Sequence, residues 1–231
     1  MWNAKSLIGW VAVVAAFAVL VGLGSWQLTR RAEKHDLIAR IEARLAAPPV
    51  VLPANINDRS ALAYRRVTVT GRFLHDKEIH LTGRVRGGAA GIHVLTPLLR
   101  EGGAVVFVNR GWVSQSRIDP ATRAEAQLAG RVTVTGIARL PARAGPFTPA
   151  NVPAKGTWFI PDIPAMARAA GLGAALPVIV AADATPNPGG FPKGGDPRIK
   201  LRDDHLQYAV TWYALALVLV VIILIARRRK S

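Results

Sequence analysis

Apolar residues fall into two patterns along this chain: unbroken blocks near each end, and positions alternating with polar ones at period two in between. The C-terminal block, Tyr208–Ala226, runs 19 residues without a charge. As a helix it spans roughly 28 Å, the thickness of a bilayer's hydrocarbon core. Ser6–Thr29 is the other block, 24 uncharged residues between Lys5 and Arg30. A signal-peptide core is about 7–15 residues long and ends in a small-x-small cleavage site. This block is longer and ends in Trp26-Gln27-Leu28, so an uncleaved anchor is the better reading.

Beyond the first block, Leu37, Ile38, Ile41 and Leu45 make a narrow apolar stripe in a charged stretch, which predicts a helix continuing or restarting outside the membrane. Ala47-Pro48-Pro49 stops it. Strands follow. Tyr64–Phe73 sets Val67 and Val69 against Thr68 and Thr70, and Arg131–Leu140 repeats the pattern. The six residues RVTVTG occur at Arg66–Gly71 and again at Arg131–Gly136, which predicts two equivalent strands, each bent at a glycine. Glu78–Leu81, Gly91–Leu99, Trp158–Ile160 and Leu176–Ala182 are further strands. Ala104–Val113 is apolar throughout, the mark of a central strand. Ile163–Ala170 is a short helix, and the proline- and glycine-rich Thr185–Pro197 is a loop. Short strands at this spacing favour a small antiparallel β barrel or sandwich over a parallel α/β sheet. The expected fold is thus an α+β membrane protein: a transmembrane helix at 6–29, a β-rich domain at 30–204, a second transmembrane helix at 205–226 and a basic tail at 227–231.

Charge orients this arrangement. Arg227, Arg228, Arg229 and Lys230 lie directly against the second span, which places both termini in the cytoplasm and the central domain in the periplasm of a bacterial inner membrane. Arg30, Arg31 and Lys34 oppose this more weakly, tempered by Glu33 and Asp36. The central segment carries 25 Lys/Arg and 14 Asp/Glu, a net of +11. Its basic residues are scattered singly, without a nucleic-acid signature, so anionic membrane lipids or an acidic partner fit better than nucleic acid. The chain has no cysteine, which excludes disulfides, thiolate metal sites and covalent c-type haem attachment.

The sequence offers little for enzyme chemistry. No serine lies in a G-x-S-x-G context and no phosphate-binding loop is present. His75, His80 and His93 fall in or beside adjacent strands, but without a ligand-spacing carboxylate pattern; structural roles outweigh a metal site or a hydrolase centre. His35 lies in a charged stretch and reads as solvated. His205 differs by position. On a helix it shares a face with Tyr208 and Trp212 at the outer end of the second span. Trp26 and Arg30, four apart, with Gln27 beside them, end the first span at the same surface. Two readings stand: an aromatic belt with a snorkelling Arg30, or a site in which His205 ligates haem iron, Arg30 pairs a propionate and the aromatic rings cover the macrocycle. Asn109-Arg110-Gly111-Trp112, closing the apolar strand, is either a recognition surface or a strand-end turn with Trp112 packed under a loop.

Taken in order, several of these segments resemble the Surfeit-locus cytochrome c oxidase assembly factors. Gly24-Ser25-Trp26-Gln27 with Arg30 is similar to the family's G-x-W-Q-x-x-R, and Tyr64-Arg65-Arg66-Val67 with Gly71-Arg72-Phe73 to its first strand. Asn109-Arg110-Gly111-Trp112-Val113 resembles N-R-G-W-[VI]-P, with Ser114 for the proline. Phe147-Thr148-Pro149 with Asn151, and Trp158-Phe159 with Asp162, follow in order. His205-Leu206, Tyr208-Ala209 and Thr211-Trp212 resemble N-H-L-x-Y-A-x-T-W, with Asp204 for the asparagine. The resemblance implies a non-enzymatic factor that transiently binds haem a and aids its delivery to, or stabilisation in, oxidase subunit I. His205 is then the iron ligand, with Trp212, Tyr208, Trp26, Gln27 and Arg30 around it. The partners implied are subunit I and haem A synthase, docking at Asn109, Arg110, Gly111 and Trp112. A scaffold that holds subunit I without binding haem is the alternative.

The topology has a direct check. Alkaline phosphatase fused after Ser114 is expected to be active and a fusion after Lys230 inactive; the opposite pair of results contradicts the orientation.

Overall fold

The computed structural model describes residues 4–142, 144–195 and 203–229. Lys230 of the tail and the Asp196-Pro197 end of the expected loop lie outside the described residues. The helices are α1 (Ala4–Ala46), α2 (Arg59–Leu62), α3 (Ile163–Ala169) and α4 (His205–Arg228); the strands are β1 (Val50–Val51), β2 (Arg66–Phe73), β3 (Ile79–Arg86), β4 (Ala89–Arg100), β5 (Val105–Ser114), β6 (Val132–Arg139) and β7 (Ala175–Ala182). They form two units, a helical one from residues 1–42 and 199–231 and a β unit from residues 43–198.

In the helical unit, α1 is continuous: the apolar block runs into the charged stripe without a break. No proline interrupts α1, so nothing in the sequence forces the restart that a change of composition alone suggests. Both α1 and α4 contain windows long and apolar enough to cross a membrane. They run antiparallel, since Trp10 meets Arg227 and Gly24 meets the Tyr213 ring. The buried positions of α4, Ala209 and Ala216, stand seven apart on one face. Small side chains at such positions let two apolar helices approach closely.

In the β unit, five strands close into a barrel in the order β2-β6-β7-β5-β4, with β4 returning to β2. β4 closes it: its start pairs with β3, and its last residues, Leu98–Arg100, pair with Phe73–Gly71. The pairings are antiparallel except for β5–β7, and for β1 laid parallel along β2. The two RVTVTG copies face each other across the β2–β6 pair, Val67 opposite Gly136 and Gly71 opposite Val132. Thr70 and Thr133 hydroxyls meet at 2.8 Å. Each glycine sits where its strand passes to its other neighbour. A Cβ on Gly71 would strike the Leu99 carbonyl, and one on Gly136 the Ala181 carbonyl. These are barrel corners, where a neighbouring backbone comes too close for a side chain.

β5 explains the apolar run. Val106 and Val108 join Val67, Val69, Leu98 and Val180 inside the barrel. Phe107, on the opposite face, packs with Leu95, Trp158, Ile163 and Met166 under α3. Buried on both faces, β5 has no room for alternation. Two expectations change. The predicted strand at Glu78–Leu81 extends to Arg86. Trp158–Ile160 makes only an isolated bridge to Leu81, because the Asn151 side chain takes up the backbone groups that a ladder would use: its Oδ1 accepts from Phe159 N (2.9 Å) and Ile160 N (3.2 Å), and its Nδ2 donates to Ile160 O (3.0 Å).

Gly136→Ala is expected to destabilise the β unit by about 1–3 kcal/mol, the usual cost of forcing atoms into a filled space. Gly173→Ala, where a Cβ meets nothing, should stay within about 0.5 kcal/mol of wild type. Denaturant midpoints of the solubilised protein separate the two.

Candidate functional site

The helical unit joins α1 to α4 through a series of polar contacts. Gln27 Oε1 lies 2.8 Å from His205 Nδ1. Since an amide oxygen can only accept, Nδ1 carries the hydrogen and the Nε2 lone pair is left for a ligand. The Tyr213 hydroxyl reaches Ser25 Oγ at 3.0 Å, and its ring lies over Gly24, where a Cβ would come within 2.8 Å of it. His35 Nε2 is 2.7 Å from Asp203 Oδ2, while Asp203 Oδ1 accepts from His205 N at 3.2 Å. His35, read from sequence as solvated, is therefore held in an ion-pair geometry, and Asp203 links it to the head of α4.

Of the six residues expected to gather here, the described contacts join Gln27 to His205 and, separately, Arg30 to Trp26. Trp26 lies about 100° round α1 from Gln27 and is 50% exposed; Tyr208 is 55% exposed. Arg30 stacks on Trp26 at 5.6 Å and pairs with Glu33 at 2.8 Å rather than turning to His205. Trp212 is half-buried on the inner face of α4. Sequence reasoning gave Gly24, Ser25, Asp203 and Tyr213 no role at this site. The signal available was the spacing of Ala209, Trp212 and Ala216, which marks the inner face of α4.

Asn109-Arg110-Gly111-Trp112 is a β-bulge. Leu95 pairs with Asn109 and Val94 with Gly111, so Arg110 has no partner on β4. Asn109 Oδ1 accepts from Gly111 N at 3.0 Å and ties the bulge. Gly111 has φ +123°, and a Cβ there would strike the Lys193 backbone that crosses it. Trp112 N and O bond Lys193 O and N at 2.9 and 2.8 Å. Trp112 is 6% exposed and Arg110 2%. Of the two readings of this segment, the strand-end turn with Trp112 packed under a loop matches the burial: Arg110, Gly111 and Trp112 lie beneath the Lys193–Gly194 strap, which Arg86 Nη1 also holds (2.9 and 3.1 Å).

Arg110 follows Val106 and Val108 on the inner face of β5. Its guanidinium lies over the Phe73 ring at 4.8 Å. Nη2 donates to Ala126 O (2.5 Å) and Asn187 Oδ1 (3.1 Å), and Nη1 reaches His75 Nδ1 at 3.4 Å. Burial depresses its pKa to about 10, with the charge on Arg123 adding to this and Glu78 opposing it. His75 donates from Nε2 to Leu128 O at 3.1 Å. Burial pushes its pKa below the ordinary value, so it is neutral at pH 7. Glu78 is taken by His80 at 2.7 Å and by both Nη atoms of Arg123. Burial alone would raise the Glu78 pKa, but these partners outweigh it and hold the carboxyl below its usual range. His93 is 3.1 Å from Asn109 Nδ2. The three histidines thus have separate partners, and among the described residues no cluster could hold a metal ion.

A closed β barrel, two membrane-spanning candidates and a histidine opening the second helix describe a membrane-associated α+β protein. The sequence profile of the SURF1 family matches residues 14–217. A SURF1-like protein of Monosiga brevicollis is 38% identical over 231 residues, 94% of this chain and 87% of that one. Surfeit locus protein 1 of Mus musculus is 38% identical over 213 residues, 86% and 69% of the two chains. Its counterpart in Homo sapiens is 37% identical over 227 residues, 91% and 74%. The chain belongs to the SURF1 family.

Proposed function

We propose that the protein is a non-enzymatic assembly factor for cytochrome c oxidase that holds haem a at the membrane surface during maturation of subunit I. Family membership supports the assembly role. The observation that carries the haem reading is the Gln27–His205 hydrogen bond. A histidine whose Nδ1–H is fixed by an acceptor presents Nε2 in one orientation, the arrangement by which proteins commonly set a metal-ligating imidazole. His205 would hold the iron through its Nε2, and Gln27 would position the ring. Exposed Trp26 and Tyr208 offer ring faces to an apolar macrocycle, and Arg30, in an exposed pair with Glu33, offers a cation that can exchange to a propionate. Bound haem a supplies the redox centre that the oxidase needs; these residues bind, orient and release it.

A single histidine suits a carrier, because release requires ligation weak enough to exchange. The long farnesyl tail of haem a partitions into hydrocarbon, so a carrier on two membrane helices keeps the tail in lipid during transfer. The reading places both termini in the cytoplasm, the β unit in the periplasm of a bacterial inner membrane, and subunit I and haem A synthase as partners.

Protein co-produced with haem A synthase is expected to purify with a haem spectrum that His205→Ala loses. Unchanged haem occupancy in that variant contradicts the ligand assignment. A wild-type protein with no haem band supports the haem-independent scaffold instead.

A further inference from the structure

The β unit contains a buried cation that no carboxylate among the described residues meets directly. Arg110 is 2% exposed, yet the groups that accept its hydrogen bonds, Ala126 O, Asn187 Oδ1 and His75 Nδ1, are neutral. Its Nε is buried without a hydrogen-bond partner among the described residues. Glu78, the carboxylate that acts on it at longer range, is bound by Arg123 and His80. Two guanidiniums, Arg110 and Arg123, therefore share one carboxylate. A buried charge without a direct counter-ion is costly, and an anion reaching it relieves that cost.

A cavity gives access. Arg110 lines a pocket of about 320 Å³ together with the barrel-core residues Phe73 and Val108, and with Val132 and Val134 of β6. Thr133, Thr185, Pro186 and Pro188 form an exposed rim. A pocket that sets an apolar side against convergent polar groups and a perturbed ionisable residue is a common form of small-molecule site. A β-bulge beside it is a further sign, since bulges re-aim side chains next to functional sites. Here the bulge takes Arg110 out of pairing with β4 and leaves it at the barrel's inner face.

We propose that this pocket binds a small carboxylic acid, its carboxylate on Arg110 and its apolar body against Phe73, Val108 and Val134. The charge count sets the class. Asp183 lines the same pocket, its Oδ1 accepting from Thr185 N at 3.0 Å. A dianion such as phosphate would meet that carboxylate, whereas a monocarboxylate bears one charge at one end and can keep it on Arg110. Phe73, Val108, Val132 and Val134 form one apolar side of this mixed lining, and that side offers a surface for a hydrocarbon or aromatic body. This site lies within the β unit and is independent of the haem reading.

The test uses the full chain in neutral detergent and fluorine NMR of 4-fluorobenzoate, with 4-fluorobenzamide as its uncharged counterpart. Saturable binding of the acid is expected, at least tenfold tighter than the amide and not displaced by equimolar inorganic phosphate. Arg110→Gln should lose this preference for the acid. Thr185→Trp, on the rim, should block both probes, and it carries the test should Arg110→Gln fail to fold. The proposal is overturned if acid and amide bind alike, if phosphate displaces the acid, or if Thr185→Trp leaves binding unchanged.

Discussion

Polar groups carried into apolar surroundings must find partners there, because an unsatisfied one costs more than a hydrogen bond returns. That constraint shapes both units. Between α1 and α4 it pairs Gln27 with His205 and Ser25 with Tyr213, while the exposed His35 meets Asp203 beyond them. Each contact specifies a rotation of one helix against the other, which apolar side chains alone would leave loosely defined. In the β unit it shows in the middle of β5: the strand bulges at Arg110 and then continues, with Asn109 tying the backbone and Asn187, Ala126 and His75 gathering round the guanidinium.

The two units answer the constraint differently, and the difference bears on function. The Gln27–His205 contact satisfies one ring nitrogen and leaves the other to a ligand. Arg110 keeps its charge with an incomplete set of acceptors. A nitrogen lone pair in one unit and a buried cation in the other are the features on which the proposed haem and carboxylate sites rest. The Glu78–Arg123–His80 cluster is closed by contrast, with each charge answered inside the domain, and reads as structure.

Much of the fold is legible in the sequence, for identifiable reasons. Period-two alternation places β2 and β6, and the RVTVTG repeat marks them as equivalent before their pairing is known. The unbroken apolar run places β5 at the centre. What escapes is whatever depends on residues far along the chain. An arginine and a tryptophan at a strand end fit a recognition surface as well as a covered turn until the Lys193–Gly194 strap is seen over them. Trp158–Ile160 looks like a strand until Asn151 takes its backbone groups. His205 stands out by its position at a helix end, but its partner does not. Trp26 and Arg30 are the conspicuous residues of that segment, whereas the helix rotation that selects Gln27 is set by the packing of Gly24 under Tyr213.

The central claim is that His205 is held as one tautomer, with hydrogen on Nδ1 and Nε2 free to bind iron. Nitrogen NMR of histidine-labelled, haem-free protein in lipid nanodiscs reads this directly. The account predicts one imidazole with protonated Nδ1 and unprotonated Nε2, identified by its disappearance in His205→Ala and losing its tautomer preference in Gln27→Leu. A His205 protonated at Nε2 in the wild-type protein contradicts it.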